Sequence, residues 1–468
     1  MGHSHEWVGP PPGCVAMTQS YLQLRNLLLA AAVCTGGLAW TQPDEVSYQV
    51  GTEPPRLLLR PQRLRLLQRE RQRQSMRWEQ FDALMRGQAQ LPEPGLALAL
   101  YYRVSGEAEA GRRAVAWALT EGADLRQQAL VLDWCQPLLE PAERRRLVSR
   151  LEKGLGGSAD GESVSAACAR VLAAIALADD RPKLSAAQLE AVVQRWWRGK
   201  VVAGLRQGRA VARADHYPLF EMLHALRDNL QLDLREDARW FFKDLPVYQL
   251  MSYYPASYPA AENEYRIPAS RAAEPDLIEA MMSRAAEMAM VAYEPNAQET
   301  QFLQGWIMQD RYLMRHPRGI TYEFLWANPY HPGLTYHSLP LVYHDEKFGR
   351  LFLRSSWEED ADWLGCFDGQ IQSFSSGRPR RLQPGSGPAA VRVGQATVLI
   401  AASKLRFAVS EGGGPVFIVG LKPDQAYDVE VDDEQMREQR TDRGGILALP
   451  EGTRGGIRLK ESPGAARR

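Results

Sequence analysis

Apolar residues recur at helical spacing through the larger N-terminal part of the chain and at alternate positions through the C-terminal part, with the change near Gly349. The helical pattern starts at Pro61, a good first-turn residue, and predicts a helix to about residue 74. Trp78, Phe81, Leu84 and Met85 mark the next apolar face. Further helices are predicted over residues 96–102, 107–119, 125–139, 142–155 and 163–178, the last rich in alanine. Ser185 is expected to cap a helix carrying Leu189, Val192, Val193, Trp196 and Trp197. Residues 220–230, 234–254, 275–293 and 301–314 complete the helical part. Paired helices with short connections and no fixed-period repeat point to an α/α toroid, an incomplete barrel of helical hairpins whose inner helix ends line a cleft.

Beyond Gly349 the alternation predicts strands over 351–357, 362–367, 389–393, 397–401, 405–409, 416–419, 427–431, 446–449 and 457–459. Short strands at this spacing, punctuated by glycine turns, predict an antiparallel β-sandwich. The expected whole is a multidomain α+β protein: a helical domain over 55–315, a Pro-, His- and aromatic-rich connector over 316–347, a sandwich over 348–460 and a polar tail over 461–468.

Charge removes one class of partner. The 56 Lys+Arg are matched by 56 Asp+Glu, and no basic tract stands out, so nucleic acid is not an expected partner. Residues 1–39 read as an upstream extension and a secretory signal peptide: Arg25, an apolar run over 27–33, and a small-residue end at Ala39. The run is shorter than the ~20 residues of a membrane span, so the mature protein is expected to be secreted or periplasmic, without stable membrane insertion. Cys135, Cys168 and Cys366 then remain, an odd and widely spaced set that fits buried thiols and forms neither a disulfide framework nor a C-x-x-C site.

Titratable residues concentrate at Asp215-His216-Tyr217, just before a helical apolar run. Asp215 is placed to cap the helix, and Pro218 lies in the first turn. His216 and Tyr217 would stand at the helix mouth, where an imidazole and a phenol can divide proton abstraction from proton donation. Residues 252–271 lack a helical period and read as a cleft loop. Tyr254 and Tyr258 there would stack on sugar rings or pack the loop, and Glu262, Asn263 and Arg266 would meet a substrate. His316, His331, His337 and His344 gather in the connector without the tight spacing of a metal set, and no cofactor is expected.

Three stretches resemble the heparinase II/III-like polysaccharide lyases. Pro55-Arg56-Leu57-Leu58-Leu59 before a basic helix resembles the opening of that superfamily. The run from Gly349 to Ala361, with Arg354-Ser355-Ser356-Trp357 inside it, resembles its strand with an Arg-Ser-x-Trp block. Gly420-Leu421-Lys422-Pro423 and Tyr427-Asp428-Val429 resemble a C-terminal strand pair of some members. The likeness covers about 55–459 and implies cleavage of a uronic-acid polysaccharide by β-elimination. That reaction needs the uronate charge neutralised, a base for the C5 proton and an acid for the leaving oxygen. The resemblance carries the tyrosine role to Tyr217, with His216 beside it.

The chain also departs from that pattern. It reads Gly161-Glu162-Ser163 where many members place Asn, or Asn and His, and Asp368-Gly369-Gln370 where a histidine-containing run is usual. A connector imidazole such as His337 would then supply the missing group. Two other readings stand beside the lyase: a catalytically inactive relative that binds acidic glycans, and a glycoside hydrolase using Asp215 with Glu262 or Glu264.

Overall fold

The computed structural model describes residues 47–157, 163–257, 266–272, 275–309, 314–385, 389–403, 405–409 and 413–462. The expected leader, Tyr258, Glu262, Asn263, Glu264, Gly161, Glu162 and most of the expected tail lie outside the described residues. A helix-rich N-terminal region is followed by β-sheets.

Several helices start where the sequence offers a stop for their free N–H groups, a capping side chain or a first-turn proline. Helix α1 (Pro61–Gln72) has proline in its first turn, and α2 (Met76–Arg86) is capped by the Ser75 side chain accepting from the Trp78 amide. Next come α3 (Pro94–Ser105), α4 (Ala108–Ala118), α5 (Leu125–Trp134), α6 (Pro141–Gly154) and α7 (Val164–Ala176). Helix α8 (Pro182–Glu190) runs on through a π-helical stretch, Ala191–Val202. Ser185, expected as its cap, lies inside it and is buried, because Pro182 already sets the first turn. Then follow α9 (His216–Leu230), α10 (Arg239–Met251), α11 (Leu277–Tyr293) and α12 (Gln298–Gln309). A last helix, α13 (Pro317–Trp326), occupies the segment expected as a connector. His316 caps it by accepting from the Arg318 amide, and Phe324, Leu325 and Trp326 are buried.

Alternate helices pack side by side: α3 on α5, α5 on α7, α7 on α9, α9 on α11 and α11 on α13. Helix α13 packs on α2, and α2 on α3, so the succession returns to its start. One continuous apolar core fills this part, from Leu57 through Trp134, Trp197 and Leu223 to Trp326.

The described strands form three sheets. The first is β1 (Val342–Asp345), β2 (Arg350–Arg354), β3 (Trp363–Phe367), β4 (Gln370–Ser375) and β5 (Arg378–Leu382), antiparallel throughout and in chain order. The remaining strands are β6 (Ala390–Val393), β7 (Ala396–Ile400), β8 (Arg406–Val409), β9 (Val416–Val419), β10 (Ala426–Val431), β11 (Arg437–Arg440), β12 (Leu447–Leu449) and β13 (Gly455–Glu461). They order as β12-β9-β7-β6 and β11-β10-β13-β8. The β7–β9 pair is parallel, against the fully antiparallel expectation, because the chain leaves to place β8 in the other sheet before β9 returns beside β7. Alternation explains the layering. Val398, Ile400, Phe417 and Val419 pack with Leu351, Leu353 and Leu364 of the first sheet, whereas Leu399 and Ile418 pack with Tyr427 and Ile457. Both faces of β7 and β9 are therefore covered, which is why their sequences are apolar throughout except at Thr397.

The first sheet turns its other face to the helices, and Phe352, Trp363 and Phe374 belong to the helical core. Cys135, Cys168 and Cys366 are free, buried thiols. No described helix is long and apolar enough to cross a membrane.

Candidate functional site

The starts of four helices bring together a cluster of charges and phenols. Glu93 precedes α3, Arg126 lies in the first turn of α5, Tyr217 in that of α9, and Arg318 in that of α13. Glu93 holds the cap position of α3 without capping it; Gln127 Oε1 accepts from the Gly95 amide at 3.0 Å instead, which leaves the Glu93 carboxylate for other partners. Arg126 grips Glu221 with both faces of its fork, Nε to Oε2 at 2.5 Å and Nη2 to Oε1 at 2.7 Å. Its Nη1 donates to Glu93 Oε1 at 3.1 Å. The Tyr322 hydroxyl donates to Glu93 Oε2 at 2.6 Å, and Arg318 Nε stands 3.9 Å from the same oxygen with no hydrogen bond of its own among the described residues.

Tyr217 lies one layer deeper. Its hydroxyl donates to Glu221 Oε1 at 3.0 Å and accepts from Trp326 Nε1 at 3.1 Å, and its ring meets Tyr322 with centroids 4.4 Å apart. Burial, then the Glu221 charge, pushes the Tyr217 phenol well above its ordinary range. Burial raises Tyr322 in the same way, with Arg126 opposing and Glu93 adding. Burial acts to lower Arg126, but Glu221, Tyr322 and Glu93 outweigh it and hold the guanidinium charged. Solvent reaches the cluster at its rim: the Arg318 side chain is 31% exposed and Glu93 18%, whereas Glu221 is fully buried.

His216 does not join Tyr217. Its Nδ1 accepts from Gln249 Nε2 at 2.7 Å, and its Nε2 faces the Val211 carbonyl at 3.3 Å, which assigns the proton to Nε2. Burial, with Arg213 and Arg350 nearby, lowers its pKa to about 3, so the ring is a neutral core group. The pairing of His216 with Tyr217 expected from their adjacency fails because neighbouring side chains on a helix point about 100° apart. Asp215 is not a cap either: it lies in a 3₁₀ turn with helical dihedrals and makes no capping bond, and it is half-buried, which raises its pKa.

The other expected contacts lie where the first sheet meets the helices. Tyr254 is buried, donates to Gln372 Oε1 at 2.8 Å and stacks on Phe374 at 5.0 Å. Arg266 is buried with its guanidinium 4.5 Å over the Trp306 ring and Nη2 3.3 Å from Glu359. His337 lies on an exposed turn, its ring stacked on Tyr336 at 4.4 Å and its Nε2 3.9 Å from Glu358. These partners differ from those of Tyr217, which meets Glu221 and Trp326, and of His216, which meets Gln249. Among the described residues, no three His, Cys, Asp or Glu side chains gather as a metal-binding set.

Glu93, Arg126, Arg318 and Tyr322 carried no sequence signal of their own. Their common place, each at or near the start of a helix or one turn in, was the signal available. The chain matches no protein-family model, and no curated protein matches it.

Proposed function

We propose that this protein acts on a uronic-acid polysaccharide by β-elimination, as a divergent relative of the heparinase II/III-like lyases, with its circuit of helices serving as the α/α toroid and its sheets as the sandwich. The observation that supports this reading is the holder around Glu93, a carboxylate gripped by Arg126 and Tyr322 with Arg318 beside it. Two guanidiniums and a phenol are the groups a uronate carboxylate and its leaving oxygen need.

The chemistry follows from those positions. A uronate carboxylate takes the Arg318 and Arg126 donors as Glu93 turns aside, and their charge acidifies the C5 proton. Glu93 accepts that proton, the C5–H electrons form the C4=C5 bond, and the C4–O bond breaks. Tyr322 gives its hydroxyl proton to the leaving oxygen, and Arg126, 3.4 Å from that hydroxyl, steadies the phenolate. The Tyr322–Glu93 hydrogen bond is the return path for the proton. Tyr217 and Glu221 hold Arg126 in place from below. The export expected from residues 1–39 places the protein where such polymers occur.

A second reading, binding without elimination, is favoured by burial, since Tyr322 is 1% exposed and Tyr217 2%. One experiment separates the two. The protein is incubated with polymers of galacturonate, of mannuronate and guluronate, and of glucuronate, and the ultraviolet absorbance of unsaturated ends is followed. Elimination creates the conjugated double bond; a polymer bound with no rise in absorbance supports the binding reading.

A further inference from the structure

At the other ends of α9 and α13 the surface changes character. A groove of about 580 Å³ runs between α1 and the last turns of α9, α11 and α13. Arg60, Arg63, Arg65, Arg69 and Arg227 line it, against one carboxylate, Asp228. Arg227 takes that carboxylate at 3.4 Å, and also donates to the Tyr293 carbonyl at 2.6 Å. Arg63 donates to the Leu325 carbonyl at 3.3 Å and lies 4.1 Å over the Trp326 ring. The guanidiniums of Arg60, Arg65 and Arg69 make no hydrogen bond or ion pair with any described residue.

The positive charge is felt inside the groove. Burial and then the Arg63 charge lower the His331 imidazole, whose Nδ1 is buried without a partner among the described residues. Five guanidiniums facing one carboxylate in a concave surface make a focused positive field that draws in anions. Arg65 and Arg69 are one helical step of four residues apart, and Arg73 continues the row, so cations repeat every ~6 Å along the axis. Arg73 donates to the hydroxyl of Tyr330, whose ring is 60% exposed at the end of the row.

We infer that this groove is a second binding site, apart from the Glu93 cluster, for a linear polysaccharide carrying regularly spaced carboxylate or sulfate groups. The row of arginines matches a polymer with one anion per repeat, and Tyr330 offers one sugar ring a face. A single-stranded nucleic acid would need a stacking face for successive bases. Among the described residues around the groove, Tyr330 is the one open ring, because Trp326 is buried under Arg63. The site holds polymer and performs no chemistry, so it stands whether or not the Glu93 cluster eliminates.

The test is equilibrium binding of the full-length chain to polygalacturonate, dextran sulfate and single-stranded DNA at several salt concentrations. Wild type is compared with the double variant Arg65→Glu/Arg69→Glu, both positions being on the exposed side of α1. The expected result is at least tenfold weaker binding of one or both polysaccharides, a shallower salt dependence and an unchanged circular dichroism spectrum. Preference between the two polysaccharides tells carboxylate from sulfate. Tyr330→Ala should weaken binding further without changing the salt slope. Polysaccharide affinity that is undetectable in wild type or unchanged in the double variant overturns the inference, as does tighter binding of DNA than of either polysaccharide. Unsaturated ends released at saturating polymer by the double variant as fast as by wild type leave the Glu93 reading intact, so the two claims fail separately.

Discussion

Arg354, the last residue of β2, reaches across to the end of α10 and donates to the Leu250 carbonyl at 3.5 Å and the Tyr253 carbonyl at 3.3 Å. A cation on the free carbonyls of a helix end satisfies acceptors that the helix leaves open and faces the negative end of its dipole. Arg354 also lies 4.5 Å over the Trp357 ring, and Trp363 Nε1 donates to the Met251 carbonyl at 2.9 Å. The Arg-Ser-x-Trp block is thus the clasp between sheet and helices. Arg354→Ala should cost about 2–3 kcal/mol, the scale of lost hydrogen bonds from a buried charged donor. Chemical denaturation measures it, and a loss under about 0.5 kcal/mol would mean that the clasp carries little of the joint.

Tyr217→Phe removes a buried hydroxyl that serves both Glu221 and Trp326. Two polar groups lose a partner, so stability should fall by about 1–3 kcal/mol. The elimination rate should fall only modestly, since Tyr217 holds Arg126 and does not meet substrate. A variant as stable as wild type would show that the hydroxyl has no structural role.

Acid should destabilise the fold through its buried imidazoles. His216 has its pKa lowered to about 3, and burial with Arg63 and Arg227 lowers His224 well below its ordinary value. A folded-state pKa below the unfolded one means that the unfolded chain binds more protons. The contribution of His216 is therefore complete above about pH 6.5 and is lost as pH falls toward 3. Denaturant unfolding at pH 7 and pH 5 should show the loss, and His216→Asn should show less of it. Equal losses in both proteins would contradict this assignment.

Much of the architecture was legible because packing obeys periodicity. The three- and four-residue spacing of Leu219, Leu223 and Leu226 marks α9, and the apolar runs at 396–400 and 416–419 mark β7 and β9. Strands such as β5, Arg378-Pro379-Arg380-Arg381-Leu382, were not legible, because an edge strand with polar side chains has no alternation to read. The helix over Pro317–Trp326 was hidden by the histidines and prolines around it. The candidate site was legible only as far as Tyr217. Glu93 and Tyr322 are separated by 229 positions, and no local pattern reveals that their side chains meet at 2.6 Å.

Gly349 and Gly444 touch backbone to backbone. Gly349 has φ +64°, and a Cβ there would fall 2.1 Å from the Gly444 amide nitrogen. Gly349→Ala should therefore be destabilising through both strain and clash, by more than the ~1 kcal/mol typical of a glycine position alone. Thermal unfolding checks this, and an unchanged midpoint would mean that the turn re-forms without glycine.

Glu93→Gln should separate binding from chemistry at the proposed site. The amide cannot accept the C5 proton, and it leaves Arg126 and Arg318 with one less negative partner for a uronate to displace. The expected signature is a lower KM together with a kcat reduced by about 10²–10⁴-fold. A raised KM with unchanged kcat would instead make Glu93 an ordinary part of the binding surface.

The central claim is that the Tyr322 hydroxyl gives the proton to the leaving oxygen. Steady-state release of unsaturated ends by wild type, Tyr322→Phe and Tyr217→Phe, each shown folded by circular dichroism, tests it most directly. The account predicts that Tyr322→Phe binds polymer as wild type does and loses about 10²–10⁴-fold in kcat, whereas Tyr217→Phe keeps most of its rate. A Tyr322→Phe protein that eliminates as fast as wild type, or a Tyr217→Phe protein that falls as far, would contradict it.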